Sequence, residues 1–142
     1  MWHAVEIVPG QQFVVSYSAG DDDDEHYVCI VNTLGQILGR CYSGQRGSVI
    51  GQLEYPVHLS IVEGFVLVAC LKTSSPRIIQ LSRTLIYSGT ILTDVDGLKG
   101  PYGTHYDRQT KHLYVADNTE TFSLVSGTVK VFDIALDPLV TY

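Results

Sequence analysis

The chain has 142 residues, the length of one ordinary domain, and is 45% hydrophobic but 17% charged; a typical soluble domain has roughly 25% charged residues, and this balance argues against overall intrinsic disorder. Nine Lys and Arg against fifteen Asp and Glu give a net charge of −6, but residues 21–25 hold five of the acids, leaving nine against ten elsewhere, so a strongly basic phosphate-binding surface is absent from the totals. No apolar run approaches the roughly 18 to 20 residues that span a bilayer, and the first residues lack the basic and apolar regions of a signal peptide, so a cytoplasmic protein with no membrane partner is expected.

The apolar residues come in short β-branched and aromatic runs separated by Gly, Pro, Asn, Asp and Ser, the signature of strands and turns. In chain order the expected strands are 3–8, 12–17, 26–32, 36–41, 57–62, 65–71, 77–82, 85–88, 103–107, 112–116 and 128–134, with a further candidate at 139–142. No window keeps a 3.6-residue period long enough for a helix, so the chain reads as all-β. Cys29, Cys41 and Cys70 are odd in number and lack C-x-x-C spacing; all three are expected as buried thiols in strands.

Internal repetition organises these strands. Residues 1–45, 46–92 and 93–142 share one plan: an opening strand, a second after a short turn, a third after a variable loop, and a fourth that is unclear in the last segment. Pro56-Val57-His58-Leu59-Ser60-Ile61 and Pro101-Tyr102-Gly103-Thr104-His105-Tyr106 open the second and third segments, and Met1-Trp2-His3-Ala4-Val5-Glu6 takes their place in the first. Second strands end in Val15-Ser16, Val68-Ala69 and Val115-Ala116; third strands end in Val31-Asn32, Leu81-Ser82 and Phe132-Asp133. A period of roughly 40 to 50 residues with four short strands reads as propeller blades. Blades pack both faces on their neighbours, so their strands are apolar on both sides, which accounts for the low charge.

The second segment, with Val66-Leu67-Val68-Ala69 and Pro76-Arg77-Ile78-Ile79-Gln80-Leu81, resembles an NHL repeat: a proline-led strand, then V-A-D, then R-I-x-x-[LF]. Val115-Ala116-Asp117-Asn118 gives the clearest V-A-D, while Cys70 stands where the pattern places Asp. The resemblance implies about three four-stranded blades of an NHL-type β-propeller. NHL rings typically hold about six blades, so the expectation is either a fragment of a longer protein or a homodimer of half-rings. It further implies a non-catalytic scaffold for protein partners, as in the target-recognising propeller of larger tripartite-motif ubiquitin ligases. The alternatives it leaves open are single-stranded RNA binding by the propeller face and a metal-dependent lyase or hydrolase.

No nucleophile elbow, phosphate loop, zinc helix or dinucleotide fingerprint is present, so no catalytic residue and no cofactor is expected. His3 and His58 share one repeat position and His105 lies two residues further along the equivalent strand; three converging imidazoles are the candidate metal site, against a role in hydrogen bonding between blades. Asp21, Asp22, Asp23, Asp24 and Glu25 form an acidic loop between second and third strands, and Lys72, Asn118 and Glu120 fall in or beside the matching connections; together these are the candidate partner-binding residues. Asp117 and Asn118 are expected to hold a strand end. The nine basic residues are dispersed along the chain, and Tyr17, Tyr42, Tyr102 and Tyr106 are expected to pack rather than to stack on bases.

Overall fold

The computed structural model describes residues 3–18, 25–39, 41–45, 53, 55–62, 64–71, 76–118 and 127–136. Among the described residues, eleven strands and one 3-10 turn make up the regular structure. The strands form three antiparallel sheets, each in simple sequential order. The first holds β1 (His3–Val8), β2 (Gln12–Ser18), β3 (Glu25–Asn32) and β4 (Tyr42–Gln45). The second holds β5 (Pro56–Val62), β6 (Phe65–Cys70), β7 (Arg77–Ser82) and β8 (Tyr87–Thr93), and the third β9 (Pro101–Asp107), β10 (His112–Asn118) and β11 (Gly127–Asp133). Among the described residues no helix is long and apolar enough to cross a membrane.

One register recurs in all three sheets. His3 pairs with Ser16, His58 with Ala69 and Gly103 with Ala116; in turn Ser16 pairs with Val28, Ala69 with Ile78 and Ala116 with Val129. Side chains alternate across a strand, so every sheet has one face for the preceding sheet, its trailing face, and one for the following sheet, its leading face. The first strands lie side by side, with β5 packed against both β1 and β9. Pro56 and Pro101 open β5 and β9 and face Cys70 and Asp117 next to bulges, positions at which a missing N–H costs no ladder bond.

The second sheet is the centre of the packing. Its trailing residues Leu59, Val66, Val68, Cys70, Ile79 and Leu81 share one apolar core with Val14 and Val28 of the first sheet. Its leading residues Leu67 and Ile78 share a second core with Tyr106, Leu113 and Val115 of the third. Each fully buried Val, Leu or Ile contributes about 1.5–3 kcal/mol, so burial on both faces makes the middle sheet the most strongly held.

The turns after β3 and β7 use one device. Asn32 Oδ1 accepts the N–H groups of Leu34 and Gln36, and Ser82 Oγ accepts that of Ile86. The fourth turn residue is left-handed in both, Gly35 at φ 76° and Leu85 at φ 63°. Leu85 holds a conformation that favours glycine because its side chain is buried in the first core.

Two strand expectations are corrected here. Of the expected strand at 36–41, the described residues 36–39 and 41 form none: Ile37 makes a single bridge to Val31, Gly39 turns the chain at φ 71°, and pairing resumes at Tyr42, opposite Val28. The eighth strand runs over Tyr87–Thr93 rather than 85–88, since Leu85 belongs to the turn and Gly89, at φ 151°, sits among the bulges that let pairing continue. The candidate strand at 139–142 lies outside the described residues.

The cysteine expectation is also corrected. The pairs Val31–Ile37 and Val28–Tyr42 differ in register by two residues; that slip brings Cys41 opposite Cys29, and the two form a disulfide with Cα atoms 4.3 Å apart. Cys70 stays outside the bridge and, as expected, is buried in its strand.

Candidate functional site on the inner strands

The residues singled out by the sequence fall into two places, the row of first strands and the ends of the second strands. On the first strands, His3 and His58 come together with ring centroids 4.4 Å apart. His3 Nδ1 accepts the Leu59 N–H at 3.1 Å. A neutral imidazole whose Nδ1 accepts carries its proton on Nε2, so this ring is committed to the joint between the first and second sheets. His58 hydrogen-bonds the backbone of Thr104 on the third sheet; burial above all, and then the neighbouring His3, pull its pKa below the ordinary 6.5. Ser60 Oγ and Thr104 Oγ1, 2.8 Å apart, complete the joint between β5 and β9.

The three-histidine metal site is not assembled. Gly103 takes the place in β9 that His3 and His58 take in β1 and β5. His105 instead lies opposite Tyr114, its ring centroid 6.4 Å from that of the tyrosine. Among the described residues no three His, Cys, Asp or Glu side chains converge as metal ligands. The two histidines that do meet act as hydrogen-bonding links between sheets.

At the strand ends, Asp117 is fully buried and its carboxylate accepts the N–H groups of Lys99 (3.0 and 3.1 Å) and Gly100 (2.8 Å). Lys130 donates to the same carboxylate at 2.6 Å and to the carbonyl of Gly97. Gly100 sits in close approach: a Cβ there would lie 3.2 Å from the Asn118 carbonyl oxygen, which would have to give by a few tenths of an ångström. The Asn118 N–H donates to Gly100 O. The Asp of the V-A-D pattern thus fastens the incoming chain to its own sheet, as expected from the sequence.

The second sheet solves the same problem without an Asp. Leu71 N–H donates to Tyr55 O, as Asn118 N–H does to Gly100 O. With Cys70 in the place of Asp117, the Tyr55 N–H is taken instead by Nδ1 of His26, at 3.1 Å. His26 is buried in the first sheet; its role was not visible in the sequence, because the partner lies 29 residues away and leads into the next sheet.

Of the candidate partner-binding residues, Asp21, Asp22, Asp23, Asp24, Lys72 and Glu120 lie outside the described residues. Glu25 opens β3 opposite Gln45, and Asn118 closes β10 opposite Gly127. Among the tyrosines, Tyr17 stacks on Tyr27, Tyr42 on Tyr87, and Tyr106 is buried with its hydroxyl donating to Ile134 O, in keeping with packing roles; Tyr102 is exposed. Asp107 caps its own turn, accepting the Gln109 N–H and the Thr110 hydroxyl, bonds that hold its carboxyl below the ordinary range. No family model, no curated protein and no solved structure matches the chain.

Proposed function

We propose that the three sheets are blades of an NHL-type β-propeller and that the chain works as a non-catalytic scaffold for protein partners. The observation that carries this reading is the recurring register with first strands side by side, which stacks meandering sheets face to face as blades are stacked. The polar side chains on the inner strands and strand ends are spent on holding sheets and connections together: His3 on Leu59, His26 on Tyr55, Asp117 on Lys99 and Gly100. The connections between second and third strands leave the same end of every sheet and differ sharply in sequence, acidic at 21–25, Lys-Thr-Ser-Ser at 72–75 and mixed polar at 119–126. Variable loops on a rigid frame are where partners are held. The Cys29–Cys41 bridge favours an oxidising compartment, so the scaffold reading is carried without a cytoplasmic location.

Capture of partners from extract with the immobilised chain tests this reading. A partner retained after nuclease treatment and lost when Asp21–Asp24 are replaced by serines, or when 72–75 or 119–126 are replaced by Gly-Ser segments, is the expected result. Capture abolished by nuclease, or single-stranded RNA bound with a steep salt dependence, overturns it in favour of nucleic-acid recognition.

A further inference from the structure

The two ends of the stack differ from its middle in exposure but not in kind. On leading faces, Val28 and Ile78 are fully buried by the next sheet, whereas the equivalent Val129 is 68% exposed and Val131, two residues on, is 51% exposed. Across from them Tyr114 and Ala116 continue the same apolar face. The trailing face of the first sheet is the converse: Phe13 and Val15 take the positions at which Val66 and Val68, and Leu113 and Val115, are buried in the other two sheets, but they are only partly covered. Contiguous exposed apolar residues on a sheet face mark an interaction surface. Among the described residues both sheet-to-sheet joints are made leading face to trailing face, and one face of each kind has no neighbouring sheet.

We propose that the leading face of the third sheet docks on the trailing face of the first sheet of a second copy, so that two copies close on each other through two such contacts. The occupant follows from continuity with the joints already present: the surface that fits a leading face is a trailing face of this same sequence. The Ser60–Thr104 contact shows the offset, each leading residue meeting a trailing residue one register position earlier in the next sheet. With that offset His105 comes down beside Ala4, with Glu6 next along the same face, so a base meets an acid at the rim of the apolar contact. Two identical leading-to-trailing contacts related by a two-fold axis close, leaving no exposed face for further growth.

Light scattering after size exclusion tests the pair on the full chain, with an expected mass of twice 15.7 kDa. Val129→Glu with Val131→Glu, on the leading face, and Val15→Lys, on the trailing face, each bury an unpaired charge in both contacts and weaken association by roughly a hundredfold. Mixing the two variants restores a pair, because one contact then joins Glu to Lys and the other is unaltered. Circular dichroism and melting of the leading-face variant report its fold independently, since both valines are exposed in the single chain. A single-chain mass up to roughly 0.1 mM, open-ended larger species, a pair indifferent to these substitutions, or no recovery on mixing overturns the proposal. It rests on the blade reading, but a cooperatively folded monomer defeats the closed pair alone; the blade reading fails separately, if Ile78→Ala costs no more than Val129→Ala in monomeric chains.

Discussion

Ile78 and Val129 occupy the same register position, each opposite the alanine of a preceding strand, yet the first is fully buried and the second is 68% exposed. Among the described residues the second sheet has two neighbouring sheets and the third has one, and that difference reaches the other equivalent positions. At the trailing position of the third strand, the first sheet places Cys29 in a disulfide, the second Ile79 in a core, and the third Lys130 in an ion pair with Asp117. At this position only the sheet with neighbours on both sides relies on apolar packing. The two end sheets reinforce themselves with a covalent bridge or with an ion pair on a buried carboxylate, and among the described residues no sheet covers their second side.

The largest expected effect separates the two ways of fastening the incoming strand. Asp117→Ala leaves two backbone N–H groups and the Lys130 ammonium without their acceptor and lowers unfolding free energy by about 4 kcal/mol. Cys70→Ala, at the equivalent place in the second sheet, costs about 1 kcal/mol, since His26 takes the acceptor's part there. His26→Ala should cost about 2 kcal/mol, and Cys70→Asp in that background should return part of it. Urea denaturation of these four chains sharpens the comparison; an Asp117→Ala chain no weaker than Cys70→Ala breaks it.

Next comes the contrast in packing. Ile78→Ala is expected to cost about 3.5 kcal/mol, the range for emptying a well-packed site. Val129→Ala, measured on chains held monomeric by dilution, should stay within about 0.5 kcal/mol. Equal costs in denaturant titrations show that the third sheet's outer face is covered even in the single chain, and the distinction between middle and end then disappears.

The first sheet's bridge closes a loop with a sequence separation of 12 residues. Its reduction is expected to lower stability by about 3 kcal/mol on the loop-entropy account, while leaving Ile79, its counterpart in the second sheet, untouched. Alkylation under denaturing conditions reads out the pairing by mass: one thiol, Cys70, reacts before reduction and three react after it. Three reactive thiols without reductant mean that this position of the first sheet is held by packing, as Ile79 is in the second.

How much of this could be read beforehand depends on whether the determining contact is local. The all-β class, the openings of β5 and β9 at Pro56 and Pro101, and Asp117 as a strand-end acceptor were legible, since each depends on residues that repeat at a fixed period. The fourth strand of the first sheet was not, because Gln36-Ile37-Leu38 has strand composition and only the left-handed Gly39 shows that pairing slips. The disulfide was hidden by the same slip. The histidines were legible as a repeated position but not as a pair, because Gly103 breaks the series and His105, two residues on, belongs to the exposed end face. His26 escaped notice because it compensates in one repeat for a residue missing from the next.

The smallest expected effect returns to the joints of the second sheet. Burial and His3 hold the His58 pKa below 6.5 in the folded chain, and in the unfolded chain it reverts to that ordinary value. The unfolded state therefore binds more protons as pH falls below about 6.5, and stability rises with pH through this window. His58 contributes its full share above pH 6.5 and loses it progressively on acidification, until pH drops below the folded value. Melting temperatures at pH 7.5 and 5.5 should differ more for the native chain than for His58→Gln, which keeps a donor for the Thr104 backbone but does not titrate. The third sheet has Gly103 at this position, which cannot titrate. A slope that persists unchanged in His58→Gln places the pH sensitivity outside the inner-strand joints.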